Sequence, residues 1–387
     1  MEGKGFLKTL VLAKLRDIMR LHIRGPVYDI TGYAHLTRET ALAFYRQGVE
    51  IYLQPITWAA TSLNLPKETN KILDELKLWK GKCDYLLSIG IPPFFHMKGQ
   101  YKRTIGLTML EVDGIPGKWV EICNKMDEIW VPSTFNEDTF IKSGVQGEKV
   151  VVMPLGVDTG TFNPHGPRAV TGKGFTFLTV CEWIPRKGYD ILVDAYLQEF
   201  SDKDNVSLVI KSHGRRNFDP DGTKILQEIK GFIGKSSKLS VPSIALISRI
   251  LTTSQMAALY RSVDCFVLPT RGEGWNLPVL EAMASEIPVI TTAWSGHMDF
   301  LNEENSYLIK VKELEPVPRL GLSTDEIYLG FRWAKPDVQH LRKLLREVYE
   351  NRTEAFKKAK KARESIKRLS WDAVAERMVE RLSLGGR

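Results

Sequence analysis

The chain has 387 residues, of which 43% are hydrophobic and 26% charged, and its formal net charge is +8. This composition is typical of a soluble globular protein, and the length predicts two domains that each bury their own core. No apolar run reaches about eighteen residues, which excludes a membrane-spanning helix. The 4 cysteines form no C-x-x-C pair, so we expect them to be reduced in a cytosolic protein, with neither a metal site nor a disulfide framework.

The basic residues are concentrated at the two ends of the chain. Residues 1–20 carry five basic and two acidic side chains, and residues 351–387 carry eleven and five, which leaves the remainder nearly neutral. Within residues 1–20, the segment 5–19 has the pattern of an amphipathic cationic helix. This helix either lies on an anionic membrane surface or packs on the first domain. Because the charge avoids the body of the chain, we expect no nucleic acid among the partners.

Short apolar runs alternate with helix-forming segments in the first part of the chain. This alternation predicts a parallel, doubly wound α/β sheet in a first domain of residues 21–162. No G-x-G-x-x-G is present, which argues against a dehydrogenase. Strands are predicted at residues 21–24, 49–53, 84–88, 103–107, 128–131 and 149–153.

A second series of strands and helices begins at Phe175. Residues 163–174, rich in Pro, Gly and Arg, are predicted to be the linker between the two domains. The second domain then spans residues 175–370. Further strands are predicted at 207–211, 244–248, 265–268 and 288–292, and residues 336–385 are expected to be helical.

The loop from Arg271 to Asn276 joins the strand at 265–268 to a helix and contains two glycines. Glycines let the backbone approach a ligand closely, and Asn276 is expected to cap the helix that follows. Free amides and the positive end of the helix dipole predict an anion site here. Glu273 in the loop and Glu281, about two helical turns later, lie on nearly the same face. Carboxylates in such a place are stabilised by neutral donors, which sugar and ribose hydroxyls supply.

Glu273 and Glu281, with Gly274 and Pro278 between them, resemble the E-x7-E signature of the retaining GT-B glycosyltransferases, the large family-four group. The resemblance implies two Rossmann-like domains facing a cleft, with a last helix, residues 371–387, that crosses back to the first domain. It also implies that Glu273 contacts the transferred sugar, that Glu281 binds the ribose of the nucleotide, and that the amides between them hold the diphosphate. Those amides belong to Gly274, Trp275, Asn276 and Leu277.

The first turn of the second domain carries the cations that the resemblance implies for the diphosphate. Lys187 stands at the position of the family's lysine, whereas Glu182 replaces the family's arginine. Arg186 is a further candidate for donor binding, although adjacent residues in an extended loop point in opposite directions. Arg249 follows a strand end and is predicted to meet the nucleotide base.

The first domain is expected to bind the acceptor. Gly32 and Tyr33 lie in the first strand-to-helix loop, which in the resembled family is near the acceptor and the donor phosphates. Many family members place a histidine near position 111, where this chain has Glu111. We therefore assign Glu111 as the acceptor-side catalytic group, beside Glu273 and Lys187.

His297 and two D-x-D triplets are the remaining residues whose types are suited to chemistry. His297 follows the last core strand and is expected beside Glu273. The D-x-D triplets at residues 202–204 and 219–221 are interpreted as turn and helix-cap residues. We therefore expect no metal site and no cofactor, with a nucleotide-diphosphate sugar as substrate.

The resemblance implies an enzyme that moves a hexose-type sugar from a nucleotide-diphosphate sugar to a hydroxyl acceptor with retention and without metal. The acceptor is a glycan, a lipid-linked molecule or a small molecule, and we expect the protein in the cytoplasm, with the basic ends touching the inner face of the cell membrane. The departures at Glu182 and Glu111 leave a catalytically inactive GT-B-like scaffold or binding protein open. A GT-B-like epimerase or phosphorylase also remains open, although no Schiff-base lysine for a phosphorylase stands out.

Overall fold

The computed structural model forms two units, each built around its own sheet. The first unit contains residues up to Leu110, then Gly114–Gly156 and the residues from Leu369 onward, and the second contains Glu111–Asp113 and Val157–Arg368. The N-terminal helix predicted for residues 5–19 falls outside the described residues, apart from Met19. The structure describes residues 19–58, 63–78, 81–96, 99–169, 172–213, 219, 221–236, 240–321 and 324–384.

The first unit has a parallel sheet of 6 strands in the order β2-β1-β3-β4-β5-β6. Its central strands are apolar and buried on both faces, as expected when helices cover a parallel sheet on both sides. The strands are β1 Arg20–Pro26, β2 Glu50–Ile56, β3 Tyr85–Ile89, β4 Arg103–Leu107, β5 Glu128–Val131 and β6 Val150–Val152. The helices are α1 Gly32–Arg46, α2 Lys67–Leu78, α3 Gly117–Cys123 and α4 Thr134–Lys142.

The last helix of the chain, Trp371–Leu384, belongs to this first unit. It packs on α1, and Asp372 forms an ion pair with Arg46 at 2.7 Å. The backbone passes so close to Gly156 that a Cβ atom there would lie 2.6 Å from the nitrogen of Trp371, so a side chain at position 156 would push this helix away. The predicted return of the C-terminal helix to the first domain is confirmed.

The second unit has another parallel sheet of 6 strands, in the order β12-β11-β10-β7-β8-β9. A separate antiparallel hairpin, β13 paired with β14, follows it. The strands are β7 Phe175–Glu182, β8 Val206–His213, β9 Ser243–Ile247, β10 Cys265–Leu268, β11 Val289–Thr292, β12 Tyr307–Ile309, β13 Val311–Pro316 and β14 Arg332–Pro336. The helices are α5 Tyr189–Glu199, α6 Thr223–Lys235, α7 Thr253–Tyr260, α8 Leu277–Ala284, α9 Asp325–Tyr328, α10 Val338–Glu350 and α11 Arg352–Ser365, with the helix at Trp371–Leu384 numbered α12.

The order of the second sheet reverses between β7 and β10, which lie next to each other. From β7 the chain builds outward to β8 and β9, and from β10 it builds in the other direction to β11 and β12. In a doubly wound sheet the loops that leave the carboxyl ends of the strands diverge at such a point and form a crevice for ligands. The loops after β7 and β10 are therefore placed to form a binding site.

The two sheets confirm the predicted α/β architecture, and the differences are local. The strand predicted at residues 149–153 is limited to Val150–Val152. The helical region predicted at 336–385 is divided at Asn351, which ends α10 and precedes α11. In the described part of the chain, no helix is long and apolar enough to cross a bilayer. All four cysteines are free thiols and buried.

Candidate functional site

The loop after β10 places Glu273 at the switch point of the second sheet. Gly272 is required there because a Cβ atom would lie 2.0 Å from the carbonyl oxygen of Glu111. The Glu273 amide donates a hydrogen bond to Ser295 Oγ at 2.9 Å, and its carbonyl oxygen accepts one from Gly296 at 2.9 Å. These bonds tie the loop to the segment after β11 and fix the position of the Glu273 carboxylate.

Glu273 lies in a cluster of two cations and two carboxylates. Lys187 Nζ donates to both carboxylate oxygens of Glu273 at 2.8 Å. Arg186 Nη1 lies 3.5 Å from Glu273, and its Nη2 lies 3.2 Å from Glu111. Arg186 also donates to the carbonyl oxygen of Gly272 at 2.7 Å. The structure therefore brings together all three residues predicted to be catalytic, Glu273, Lys187 and Glu111, with Arg186 between the two carboxylates.

Arg186 and Lys187 both reach Glu273 because the backbone between them is tightly coiled. Residues Pro185–Lys187 form a single turn of 3-10 helix, followed by Gly188 with φ 69°. A side chain at Gly188 would place its Cβ 2.0 Å from the carbonyl oxygen of Pro269. The expectation that adjacent side chains would diverge assumed an extended loop and is wrong for this turn.

The pKa values of Glu273 and Arg186 are shifted so that each group keeps its charge near neutral pH. Burial raises the pKa of Glu273, but the nearby Lys187 and Arg186 outweigh burial and hold the pKa below its usual value. Burial lowers the pKa of Arg186, but Glu111, Tyr328 and Glu273 together raise it above the usual value for arginine. Glu273 is therefore a carboxylate, able to accept hydrogen bonds from ligand hydroxyls.

Glu111 uses both of its carboxylate oxygens inside the second unit. One oxygen is paired with Arg186, and the other accepts a hydrogen bond from the hydroxyl of Tyr328 at 2.7 Å. Tyr328 ends α9, between the strands of the hairpin. These contacts make Glu111 a support for Arg186, and its predicted role as the acceptor-side catalytic group stays a prediction.

Glu281 lies on α8 and is buried beside Tyr260. The Tyr260 hydroxyl donates to Glu281 Oε2 at 2.9 Å. Burial raises the pKa of Glu281 to about 7, although the hydrogen bond from Tyr260 opposes the rise. The carboxyl group is therefore close to half-protonated at neutral pH, and a ligand that donates hydrogen bonds to it would favour the ionised form.

Asn276 begins α8 without capping it, which corrects the expectation drawn from its residue type. Its backbone is left-handed, with φ 89°, and its side chain makes no capping hydrogen bond. Asn276 is only 4% exposed, and neither its amide nitrogen nor its amide oxygen bonds to any described residue. Buried polar atoms in proteins are nearly always bonded, so this side chain is suited to a polar ligand.

His297 is fully buried next to the cluster. Its Nε2 lies 2.6 Å from the carbonyl oxygen of Thr292, and because a carbonyl only accepts, Nε2 carries the proton. Burial lowers the pKa of His297, and Glu273 lies within electrostatic range of the ring. Its Nδ1 has no partner among the described residues. The predicted position of His297 beside Glu273 agrees with this arrangement.

The remaining predicted donor-site residues lie around the same strand ends. Trp275 is buried against Phe300, with ring centroids 4.9 Å apart, and Leu277 is the first residue of α8, after Gly274 and Asn276 in the loop. Arg249 follows β9 and is exposed. Its assignment to the nucleotide base therefore depends only on its position after the carboxyl end of β9.

The two acceptor-side candidates lie in the first unit, after β1. Gly32 is the first residue of α1. The Tyr33 hydroxyl accepts a hydrogen bond from the Met109 amide at 3.1 Å, and its ring stacks on Trp58 at 5.3 Å. These contacts hold Tyr33 at the carboxyl ends of β1 and β4, where an open α/β sheet binds ligands.

The D-x-D triplets have structural roles. Asp204 accepts a hydrogen bond from Arg346 at 2.9 Å, and Asp219 accepts bonds from the amides of Lys224 and Ile225 at the start of α6. Across the residues that the structure describes, no group of three or more His, Cys, Asp or Glu is arranged to hold a metal ion.

The sequence pattern does not reveal two tyrosines whose hydroxyl groups hold carboxylates in position. Tyr260 precedes its partner Glu281 by 21 residues, and Tyr328 follows Glu111 by 217. Both appear as ordinary aromatic residues of helices, so no local pattern marks them. Only the packing of the fold brings each hydroxyl to its carboxylate.

Most residues of the site lie in a region that matches a known family, and Glu111 and Tyr328 lie outside it. Residues 174–316 match the family described as glycosyl transferases group 1. The chain is 27% identical over 162 residues to mannosylfructose-phosphate synthase of Agrobacterium fabrum, which covers 40% of this chain and 34% of that protein. It is 28% identical over 165 residues to MMP alpha-(1->4)-mannosyltransferase of Mycolicibacterium hassiacum, with 42% and 36% covered. The chain thus spans about a third of the length of these curated relatives.

Solved structures resemble the chain over nearly all of its length. Sucrose-phosphate synthase from Thermosynechococcus elongatus has a TM-score of 0.67 at 15% identity, covering 94% of this chain and 98% of that one. Anabaena Alr3699/HepE in complex with UDP-glucose has a TM-score of 0.65 at 13% identity, covering 94% and 99%. The match over residues 174–316 confirms the family resemblance seen in the sequence, and the fold of the chain is that of the GT-B glycosyltransferases.

Proposed function

We propose that this chain is a retaining glycosyltransferase that moves a hexose-type sugar from a nucleotide-diphosphate sugar to a hydroxyl acceptor. The observation that carries the proposal is the Lys187–Glu273 pair at the switch point, with both distances 2.8 Å. In this proposal the buried carboxylate of Glu273 accepts hydrogen bonds from sugar hydroxyls, and Lys187 beside it binds the diphosphate. Glu281, on the helix that starts at this loop, is placed to accept hydrogen bonds from the ribose.

The proposed reaction breaks the bond between the anomeric carbon and the diphosphate oxygen. The diphosphate leaves with the electron pair, and Lys187 with the amino end of α8 stabilises the charge that develops on it. The acceptor oxygen forms the new bond on the same face of the sugar, and its proton passes to the oxygen of the departing diphosphate. Glu273 orients the sugar, and the positive charge on Lys187 and Arg186 serves the leaving group without a metal ion.

A thermal-shift screen tests donor binding. UDP, GDP, ADP and their sugars are added to the wild type, to Glu281→Ala and to the exposed control Glu303→Ala. A ligand at a hundred times its Kd adds about 2.7 kcal/mol to the free energy of unfolding. We expect one nucleotide to stabilise the wild type and the control and to lose this effect in Glu281→Ala. If no nucleotide stabilises the wild type, the proposed function is wrong.

The stereochemistry of transfer and its metal requirement are tested by an assay in which the enzyme turns over. With the stabilising donor and a panel of hydroxyl acceptors, proton NMR of the first product reports the configuration at the anomeric carbon. We expect the product to keep the anomeric configuration of the donor. We also expect a chelator to leave the rate of transfer unchanged. An inverted product contradicts retention, and a rate restored only by added Mg²⁺ or Mn²⁺ contradicts metal independence.

A catalytically inactive nucleotide-sugar binding protein is the second candidate. Two observations favour it: Glu182 occupies the place of the family's arginine, and Glu111 is committed to Arg186 and Tyr328. Donor binding without transfer to any acceptor and without donor hydrolysis would support this candidate. Transfer to any acceptor rules it out.

We also propose that the protein works in the cytoplasm, at the inner face of the cell membrane, through its basic ends. Of the lysines on α11, Lys357 and Lys361 are paired with Glu354 and Glu304 at 3.3 and 3.5 Å, so α11 alone is a weak attraction for lipid. The proposed contact therefore depends on residues 1–20. Sedimentation with vesicles containing phosphatidylserine should recover the full chain but not a variant lacking these residues, and equal recovery would contradict the contact.

A further inference from the structure

Lys211 is a buried lysine near the carboxyl end of β8. It is paired in the sheet with Val180 of β7 and Ile247 of β9. Lys211 therefore lies between these two strands, close to the loops that follow their carboxyl ends. Only 6% of the residue is exposed. A lysine is rarely buried to this extent unless it is paired.

The ammonium group of Lys211 has no partner within the described ranges of the chain. It donates no hydrogen bond and forms no ion pair with any residue in those ranges. Burial lowers the pKa of Lys211 to about 8, and the positive charge of Arg249 adds to the effect. Among the described residues, the buried side-chain atoms without a partner do not include Lys211 Nζ, so the small exposed part of this residue includes its ammonium group. A charge with so little contact with water is costly, and an anion bound at this exposed end would balance it.

The charges around Glu273 show why such an anion needs a further cation. Arg186 and Lys187 are matched by Glu111 and Glu273 in direct ion pairs, so this cluster is neutral. Glu182 adds a negative charge within electrostatic range of Arg186. A nucleoside diphosphate, which carries at least about two negative charges at neutral pH by phosphate chemistry, gains little net attraction from a neutral cluster.

Lys211 lies close to this cluster. The thiol of Cys181, near the carboxyl end of β7, is within electrostatic range of Lys187 and Glu273. The same thiol is within electrostatic range of Lys211. Cys181 and Ser212, the residue after Lys211, are partners in the sheet. Lys211 and Lys187 therefore flank the end of β7 at the edge of the sheet that binds ligands.

We propose that Lys211 is a phosphate-binding residue that contacts the diphosphate of the nucleotide sugar and supplies the charge missing at Glu182. This inference rests on the proposed function, because it takes the donor to be a nucleotide-diphosphate sugar. It adds a residue from β8 to a site otherwise formed by the loops after β7 and β10. The ligand charge in turn pairs the ammonium group of Lys211, which has no described partner.

Titration calorimetry with nucleoside diphosphates and monophosphates tests the assignment. UDP, GDP and ADP are first titrated into the wild type, and the diphosphate that binds is compared with its monophosphate. Lys211→Met keeps the length of the side chain but removes the charge, Lys211→Arg keeps the charge, and Lys230→Met on the exposed face of α6 is the matched control. We expect Lys211→Met to weaken diphosphate binding by at least about tenfold, as loss of one charged hydrogen bond does. Monophosphate binding should weaken less, and Lys211→Arg and the control should bind nearly as the wild type does.

The outcomes separate the two proposals. Equal diphosphate affinity in the wild type and Lys211→Met overturns the role of Lys211 and leaves the proposed function standing. No binding of any diphosphate to the wild type overturns both. If Lys211→Met does not fold, acylation of wild-type lysines followed by peptide mass spectrometry decides. Protection of Lys211 by the diphosphate but not by the nucleoside supports the assignment, and equal modification with and without diphosphate refutes it.

Discussion

Lys187 donates to both oxygens of the Glu273 carboxylate, at 2.8 Å each, and both side chains are largely buried. The lysine thus opposes burial, which by itself raises the pKa of the Glu273 carboxyl group. It is also the cation assigned to the leaving diphosphate. A single contact therefore links the stability of the second unit to the proposed chemistry.

Removing Lys187 should lower both stability and transfer, and a second substitution should restore only the stability. Lys187→Met leaves Glu273 buried with only Arg186 as a cation, and we expect a loss of roughly 3 kcal/mol in the free energy of unfolding by urea. The double variant Lys187→Met with Glu273→Gln should recover most of this stability but not transfer. Lys335→Met, which breaks an exposed pair with Glu313, is the control and should leave the urea midpoint unchanged. Recovery of transfer in the double variant would contradict the proposed roles.

Glu281 should make stability and nucleotide binding depend on pH in opposite directions. Folding raises its pKa from 4.5 to about 7, so its stabilising contribution is present below the unfolded pKa and is lost as pH rises through the folded pKa. Relative to Glu281→Gln, the unliganded wild type should therefore become less stable between about pH 5 and about pH 8. Nucleotide affinity should rise over the same range if Glu281 binds the ribose as proposed, because only the carboxylate accepts hydrogen bonds at both oxygens. Parallel pH profiles for the two proteins would show that Glu281 does not titrate in this range.

Gly272→Ala should damage the site through the backbone. The added Cβ would lie 2.0 Å from the carbonyl oxygen of Glu111, so the loop must move, at a cost of about 1–3 kcal/mol typical of overpacking. Donor binding should weaken with it, because Glu273 is the next residue. Gly231→Ala within α6, where the space around the glycine is open, should instead stabilise the protein by about 0.5–1 kcal/mol. Unchanged donor affinity in Gly272→Ala would show that the loop tolerates the shift.

Asn276→Gly should stabilise the free protein and weaken the complex. Glycine accepts the left-handed backbone at this position, φ 89°, and the substitution removes two buried amide atoms that lack described partners. We expect a gain of about 1 kcal/mol in the free energy of unfolding and lower affinity for the nucleotide sugar, measured on the same samples. A loss of stability without a change in affinity would mean that the amide serves the fold rather than a ligand.

The local pattern of the sequence was sufficient to predict most strands of the two parallel sheets and the loop that holds Glu273. The apolar runs of β7, β10 and β11 are bounded by Pro, Gly and charged residues, so their ends are marked. The hairpin of β13 and β14 was missed because its strands are partly exposed and charged, which gives no apolar alternation. Its antiparallel pairing is therefore visible only in the structure.

The site was predictable where its residues belong to recognisable motifs and unpredictable where only tertiary packing brings them together. Glu273, Glu281 and Lys187 follow from motifs, but the hydroxyl groups of Tyr260 and Tyr328 reach their carboxylates through tertiary packing alone. The expected cap at Asn276 was wrong: its backbone is left-handed instead of extended, as capping residues usually are, and its side chain makes no capping hydrogen bond. Lys211 directly follows the apolar run Leu208–Ile210 of β8, and its position indicates a role only once its burial is known.

The return of α12 to the first unit has a consequence for biosynthesis. Arg46 on α1 meets Asp372 on α12 across 326 residues of sequence, and the ribosome makes the whole second unit in the interval. The surface of α1 that α12 covers therefore remains exposed to water throughout the translation of residues 157–368. Non-local contacts of this kind slow folding, and apolar surface exposed in nascent chains attracts chaperones and other unfinished chains. Completion of the first unit must wait for the residues that are translated after the second.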